Sequence, residues 1–256
     1  VTELGPKARN SGAGKLGRGL GRNGRDDDFR RCGLPGKTGG ADPGDARGGR
    51  PPPSQWSSSS IGNVPFGQGI SMTVLQLARA YAALANGGKL VTPHFLVSES
   101  GVTTQPVWPV RQVLPAKTTA TMRLLLRAVV TDGTGASANV PGYDVAGKTG
   151  TAQKPRTDGK GYAAGAYVSS FAGFLPTEDP RLVIIVTIDE PTKSIYGGTV
   201  AAPSFSRIAK FAVAHLKIPP VTSTARMAPA GNGAVSKPAT AGPEPTPMLE
   251  SSSSVR

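Results

Sequence analysis

The sequence predicts an α+β fold, an antiparallel sheet covered by helices, and two observations carry that prediction. Three apolar runs, Tyr143 to Lys154, Ala166 to Leu175 and Leu182 to Asp189, follow one another with turn-forming residues between them, as the strands of an antiparallel meander do. A helical pattern comes after them: Phe205, Ile208, Ala209, Ala212 and Val213 fall on one face of Ala202 to Leu216, behind the turn at Tyr196-Gly197-Gly198. Strands in succession and then a covering helix indicate segregated α+β, because a parallel α/β sheet would alternate the two.

The other elements follow in chain order. Residues 1–53 are rich in Gly, Arg, Asp and Pro with almost no apolar periodicity, so they read as a poorly ordered segment without a core. Trp56 and the turn-rich stretch Ile61 to Gly69 lead into a helix that Ser71 or Thr73 caps. Leu75, Ala78, Tyr81, Ala82 and Ala85 recur along it at helical spacing, and Asn86-Gly87-Gly88 ends it. Lys89 to Val97 and Val107 to Leu114 are edge strands or extended excursions, since Pro93, Pro106 and Pro109 cannot donate to a ladder. Ala116 to Thr131 carries Met122, Leu125, Leu126 and Val129 on one helical face, and Asp132-Gly133-Thr134-Gly135 breaks it. The loop Pro155 to Gly161 tips the first hairpin as a mobile lip. Residues 221–256 are dominated by Pro, Ala, Thr and Ser and read as a disordered tail.

With 256 residues and 38% hydrophobic content, the middle of the chain suffices for a core. The net charge of +13 would suit nucleic acid, yet much of the Arg lies among Gly in the first fifty residues without interleaved aromatics. A solvated basic arm is the plainer reading, and no nucleic-acid partner is expected. The single Cys32 excludes an internal disulfide and a Cys-based metal site, and with only His94 and His215 no metal site is expected. His94 has no carboxylate neighbour in sequence and reads as a surface or satisfied histidine, not a catalytic base. No run of about 18 apolar residues occurs and the start carries no signal-peptide hydrophobic region, so neither an anchor nor an export signal is read.

Chemistry concentrates in Gly147-Lys148-Thr149-Gly150-Thr151, where an ammonium and two hydroxyls stand beside permissive glycines and suit an anion. On a strand, Lys148 and Gly150 face one way and Thr149 and Thr151 the other, which calls for a twist or bulge at Gly150 to bring them together. Gly142 to Thr149 also fits the phosphate-cradling pattern G-x-x-x-x-G-K-[ST]. Turn formers on both sides, with Pro155, Gly159 and Gly161 downstream, exclude the strand and helix that pattern requires. The competing reading is the Lys-Thr-Gly element of serine acyl-transfer enzymes that act on D-Ala-D-Ala peptides. The bare triplet is weak, for it recurs at Lys37-Thr38-Gly39. The whole decapeptide from Val145 to Lys154, Val-Ala-Gly-Lys-Thr-Gly-Thr-Ala-Gln-Lys, is far more specific.

Through that decapeptide the chain resembles the class B penicillin-binding proteins, the cell-wall transpeptidases, and among them the septal cell-division members. The likeness is close from Pro51 to Pro220 and degraded before it. There Lys7 to Gly12 takes the place of the family's Ser-Ser-Asn element, and Asp28 to Arg31, Lys37 to Gly39 and Pro43 to Asp45 echo a family loop. The resemblance implies that 54–220 is the C-terminal part of a transpeptidase domain, supplying three strands of a larger antiparallel sheet and its last helix. In the family a serine attacks the D-Ala-D-Ala carbonyl of a peptidoglycan stem peptide, D-Ala leaves, and the acyl group passes to an amine.

Carried over by motif position, Lys148 would be the catalytic residue, giving positive potential for the carboxylate and the proton relay. Thr149, Gly150 and Thr151 would bind substrate, the threonines through its carboxylate, with the Thr151 backbone part of the oxyanion hole. Asn10 falls where the Asn of the family's Ser-x-Asn element belongs, with Ala8 in place of its Ser. Ser137-Ala138-Asn139 matches the letters but lies in the turn just before the strand and is taken as chance. No S-x-x-K occurs, so the chain is expected to be a C-terminal part that lacks the nucleophile and is inactive alone. Neither a metal nor an organic cofactor is implied. Partners would be the stem peptide or a β-lactam, and divisome membrane proteins, on the extracytoplasmic side of the cell membrane. A carboxypeptidase or β-lactamase would share these residues. The alternative of another class is a catalytically inactive remnant that binds peptides or partners.

Overall fold

The computed structural model describes most of residues 19–220. Residues 1–18, 41–43, 57–63, 96–106 and 221–256, with positions 20, 22, 23, 25, 35, 50, 51, 65, 66, 68, 159 and 160, lie outside the described residues. All described residues belong to one unit, Val1–Thr222. A two-stranded ribbon pairs β1 (Lys89–Val91) with β2 (Val110–Gln112), and the main sheet has three antiparallel strands, β3 (Ala146–Pro155), β4 (Tyr162–Leu175) and β5 (Leu182–Asp189), in that spatial order. Three helices accompany the sheet among the described elements, α1 (Val74–Ala85), α2 (Ala116–Asp132) and α3 (Gly197–His215). This is the α+β arrangement the sequence predicts. No helix among the described residues is long and apolar enough to cross a membrane.

β4 is the central strand, and from Ser169 to Leu175 most of its residues are buried, on both faces. Phe171 packs on one side against Phe205 of α3, the rings edge to face with centroids 4.7 Å apart, amid Ala201, Ala202, Ala209 and Val213. Phe174 packs on the other with Ala146, Ala85 of α1 and Leu126 of α2. Truncating an aromatic buried like Phe205 to Ala typically removes about 3–5 kcal/mol.

Thr73 caps α1, with a reciprocal pair in which the Gln76 amide N–H donates to Thr73 Oγ1 (3.1 Å) and the Thr73 N–H to Gln76 Oε1 (2.9 Å). Ser71 instead bridges to Gly49, whose N–H donates to its hydroxyl at 2.9 Å. Asn86 closes the helix, and Gly87 and Gly88 follow at φ of 80° and 95°, values open to Gly.

The ribbon strands are shorter than the expected Lys89 to Val97 and Val107 to Leu114, and three starts in the main sheet and its last helix also differ. β3 starts at Ala146 rather than Tyr143, because a turn closes there with the Tyr143 N–H on Val140 O (3.0 Å). β4 starts at Tyr162 rather than Ala166, since the hairpin zips further towards its tip, helped by Gln153 Nε2 donating to Ala163 O (2.9 Å). α3 starts at Gly197 rather than Ala202 and runs through Pro203. Pro203 has no N–H to give the Thr199 carbonyl, and Thr199 is exposed, so water can serve it.

Residues 1–53, read as lacking a core, contain described positions that are packed: 26–31 are helical, and Leu34, Thr38 and Asp45 are buried. Much of what fastens them is polar. Gln76, itself buried, donates through Nε2 to Gly36 O (2.6 Å) and Ala46 O (3.4 Å), fastening this stretch to the start of α1. Apolar periodicity, the signal used for the reading, does not register such contacts.

Candidate functional site

β3 pairs only with β4 among the described residues, so its other edge is open along Lys148 to Thr151. The pairing is regular here, with Lys148 opposite Ala172, Thr149 opposite Phe171, Gly150 opposite Ser170 and Thr151 opposite Ser169. Of the twist or bulge expected at Gly150, no bulge forms, and the irregularity lies between Gln153 and Pro155. Lys148 and Thr149 meet another way. The lysine side chain curls around the open edge, and Nζ donates to Thr149 O (2.8 Å) and Thr149 Oγ1 (3.1 Å). Gly150 serves close approach, since a Cβ there would fall on Ser170 Oγ.

Both threonine hydroxyls are tied to other elements. Thr149 Oγ1 lies 3.0 Å from Thr134 Oγ1, in the turn after α2. Thr151 Oγ1 accepts the N–H of Gly197, the first residue of α3, at 3.2 Å. Gly197 can stand there only as glycine, because its Cβ would run into the carbonyls of Gly150 and Ser170. No acidic residue occupies the first turn of α3, so the positive end of its dipole faces this side of the strand uncompensated. An ammonium, three hydroxyls and a helix N-terminus thus gather along an open strand edge. Such an edge can pair with an extended peptide while the positive end holds a carboxylate.

The surroundings are consistent with a cleft lip. A methyl group on Gly69 would stand 4.0 Å from the Tyr162 hydroxyl, so the loop before α1 comes up to the β3–β4 hairpin. Asn10 and Ala8 lie outside the described residues. Ser137 and Ala138 belong to a 3-10 turn, and the Asn139 carbonyl accepts from Ser206 of α3 at 2.7 Å. His94 is exposed, stacked on Trp108 at 4.7 Å, with Nδ1 2.9 Å from Thr92 O. Ser169 is buried and its hydroxyl donates to Ile195 O. At the other Lys-Thr-Gly, the amides of Thr38 and Gly39 both donate to the Asp45 carboxylate at 3.0 Å. The Thr38 amide, first among several causes, holds that carboxyl below the usual carboxylate value. Sequence reading missed Thr134 and Gly197, taken as parts of turns; a hydroxyl between two glycines is the one trace of the former.

A family profile described as the penicillin binding protein transpeptidase domain matches residues 7–210. The chain belongs to that family. The penicillin-binding protein PbpB of Mycobacterium tuberculosis is 38% identical over 226 residues, 83% of this chain and 33% of that protein. The probable peptidoglycan D,D-transpeptidase PbpC of Pseudomonas aeruginosa is 41% identical over 180 residues, 70% of this chain and 30% of its own. Among solved structures, penicillin-binding protein 3 of M. tuberculosis complexed with ampicillin superposes with a TM-score of 0.78 at 38% identity, covering 86% of this chain and 52% of that one. The chain thus spans about a third of the length of these curated relatives.

Proposed function

We propose that this chain forms the strand wall and carboxylate subsite of a septal-type peptidoglycan D,D-transpeptidase, an enzyme of serine acyl transfer on D-Ala-D-Ala stem peptides that β-lactams trap. The observation that carries this reading is the meeting of Lys148 Nζ with the Thr149 hydroxyl at the open edge of β3, beside the Thr151 hydroxyl bonded to α3. The terminal carboxylate would sit against Lys148, Thr149 and Thr151 while the peptide runs along the strand. The Thr151 N–H would polarise the scissile carbonyl as oxyanion charge develops. By its place in the family motif, Asn10 would contribute its amide to the substrate.

Acylation needs a serine with a lysine one helical turn later, and no position of this sequence supplies that pair. The reading therefore assigns the subsite to this chain and not the nucleophile. The same fact favours a second reading, a catalytically inactive remnant that binds peptide or partner. A place on the extracytoplasmic side of the membrane, among divisome proteins, belongs to the first.

Incubation with a fluorescent penicillin, followed by denaturing electrophoresis, tests both. The chain alone should keep no covalent label yet bind penicillin reversibly, in competition with an acetylated D-Ala-D-Ala peptide. A longer form carrying an acyl-forming serine should retain the label under the first reading and lose it under the second. An adduct mapped to a serine of this chain would overturn both.

A further inference from the structure

We propose that Ser169 is a positioning residue of the carboxylate subsite: by fastening the Ile195 carbonyl to β4, it holds the Gly197 amide on Thr151 Oγ1 and so sets where the Thr151 hydroxyl directs its proton. This rests on the reading of Lys148 to Thr151 as a carboxylate subsite. Ser169 lies in the central strand opposite Thr151, so the two side chains share the face that α3 covers. It is fully buried, and a buried hydroxyl needs a partner. It finds one by donating to Ile195 O, in the segment that leads from β5 into α3.

Two residues on, the Gly197 N–H donates to Thr151 Oγ1 at 3.2 Å. That amide opens α3 and has no acceptor within the helix, so it is free for this use. Between them the Tyr196 N–H donates to Ser194 Oγ (3.3 Å), which tightens the same turn. A hydroxyl oxygen that already accepts an amide keeps one proton, which turns away from that donor. Thr151 is exposed beside the open strand edge, and an ionised carboxylate only accepts. A hydroxyl held as donor meets it without reorganising. Loss of the Ser169 hydroxyl would release the Ile195 carbonyl, let the turn relax and leave the Thr151 proton undirected.

The test compares reversible binding of benzylpenicillin and its methyl ester to the full 256-residue chain by NMR titration. The wild type should prefer the carboxylate, and Ser169→Ala should shrink that preference by roughly tenfold, as expected for a hydrogen bond to a charged group. Ser206→Ala is the control. It deletes another buried hydroxyl bond, to Asn139 O at 2.7 Å, and should lower stability while leaving the preference intact. In a Thr151→Val background Ser169→Ala should add nothing, the mark of action through Thr151. Should Ser169→Ala not fold, Ser169→Cys fills the site with a weaker donor, and the Gly197 amide should then exchange faster than in the wild type. An unchanged preference in a folded variant, further loss on top of Thr151→Val, or unchanged Gly197 exchange overturns the role of Ser169 alone. A wild type that does not distinguish acid from ester removes the subsite reading and this role together.

Discussion

The chain spells Lys-Thr-Gly twice, and the two copies behave oppositely. At Lys37 to Gly39 the triplet lies in a loop whose Thr38 and Gly39 amides are saturated by Asp45, so the loop carries its own anion. At Lys148 to Gly150 it lies on an edge strand, and the Thr149 hydroxyl meets an ammonium and a second hydroxyl with no carboxylate in those contacts. Even the glycines differ. Gly39 has φ of 76° and a methyl group added to it would meet nothing within 4 Å, so it is there for backbone conformation, whereas Gly150 is there for space beside Ser170. Under the proposed function, three identical letters become a site only where the fold leaves an open edge beside them.

The sharpest way to break this comparison is to remove each lysine. In a form of the protein that carries the acyl-forming serine, Lys148→Ala should lower the rate of penicillin acylation by about 100- to 1,000-fold, the usual loss for one preorganised electrostatic group. Lys37→Ala should leave it near wild type. Stopped-flow acylation with circular dichroism separates the cases, and a collapsed fold in Lys148→Ala would make that lysine structural.

A second contrast uses glycine. Gly197→Ala forces a methyl group onto the carbonyls of Gly150 and Ser170, which are backbone and cannot swing away. A loss of about 1–3 kcal/mol is expected from such overpacking, and the displaced Gly197 amide should weaken penicillin binding as well. Gly39→Ala meets open space and should lose only about 1–2 kcal/mol, from its left-handed backbone, with binding unaffected. Urea unfolding and the titration above give both numbers; equal effects on binding would erase the distinction.

The third contrast is pH. The carboxyl of Asp45 titrates below its ordinary value because the folded loop, the Thr38 amide first, favours the charged form. Its contribution is present above the unfolded value of about 3.9 and is lost as pH falls through the lower folded value. Protection of the Thr38 and Gly39 amides, measured as exchange relative to the unstructured-peptide rate at each pH, should therefore fall as pH drops below about 4, and Asp45→Asn should lower it at neutral pH. The β3 amides from Lys148 to Thr151 should not follow. If they did, the two triplets would be coupled and not independent.

How much of this was legible in the sequence depends on which force holds each part. β5 and the capping of α1 follow from apolar runs and cap chemistry and were found nearly residue for residue. The strand carrying Lys148 was found too, but the way its side chains converge was not. Alternation along a strand says that Lys148 and Thr149 point apart, and only an open edge explains how a long side chain rounds it. The partners of Thr149 and Thr151, at Thr134 and Gly197, are 15 and 46 residues away, and nothing in local pattern joins hydroxyl to amide over such distances. The early loop was missed for a related reason, being held by Gln76 and Asp45 through backbone groups that every residue has.

The smallest effect should come from the other lysine on the same strand. Lys154 sits within the register shift, near the hairpin tip, and its ammonium contacts the carboxylates of Asp189 (3.0 Å) and Glu190 (2.7 Å) at the end of β5. Asp189 and Glu190 are 66% and 59% exposed, so water and salt screen the attraction, and such pairs add little to stability. The hydrogen bond to Glu190, then that to Asp189, raises the pKa of Lys154 above the ordinary lysine value. Any stabilisation is therefore present below the unfolded lysine value and lost as pH rises through the folded one, far from neutrality. Lys154→Met should leave the thermal midpoint and penicillin binding unchanged at neutral pH, at low and at high salt. Two lysines on one strand would then differ in their place on it: Lys154 meets the carboxylates of Asp189 and Glu190 near the hairpin tip, while Lys148 reaches the carbonyl and hydroxyl oxygens of Thr149 at the open edge. A Lys154→Met chain that lost penicillin binding as fully as Lys148→Ala would show that the whole strand, rather than its open edge, carries the anion site.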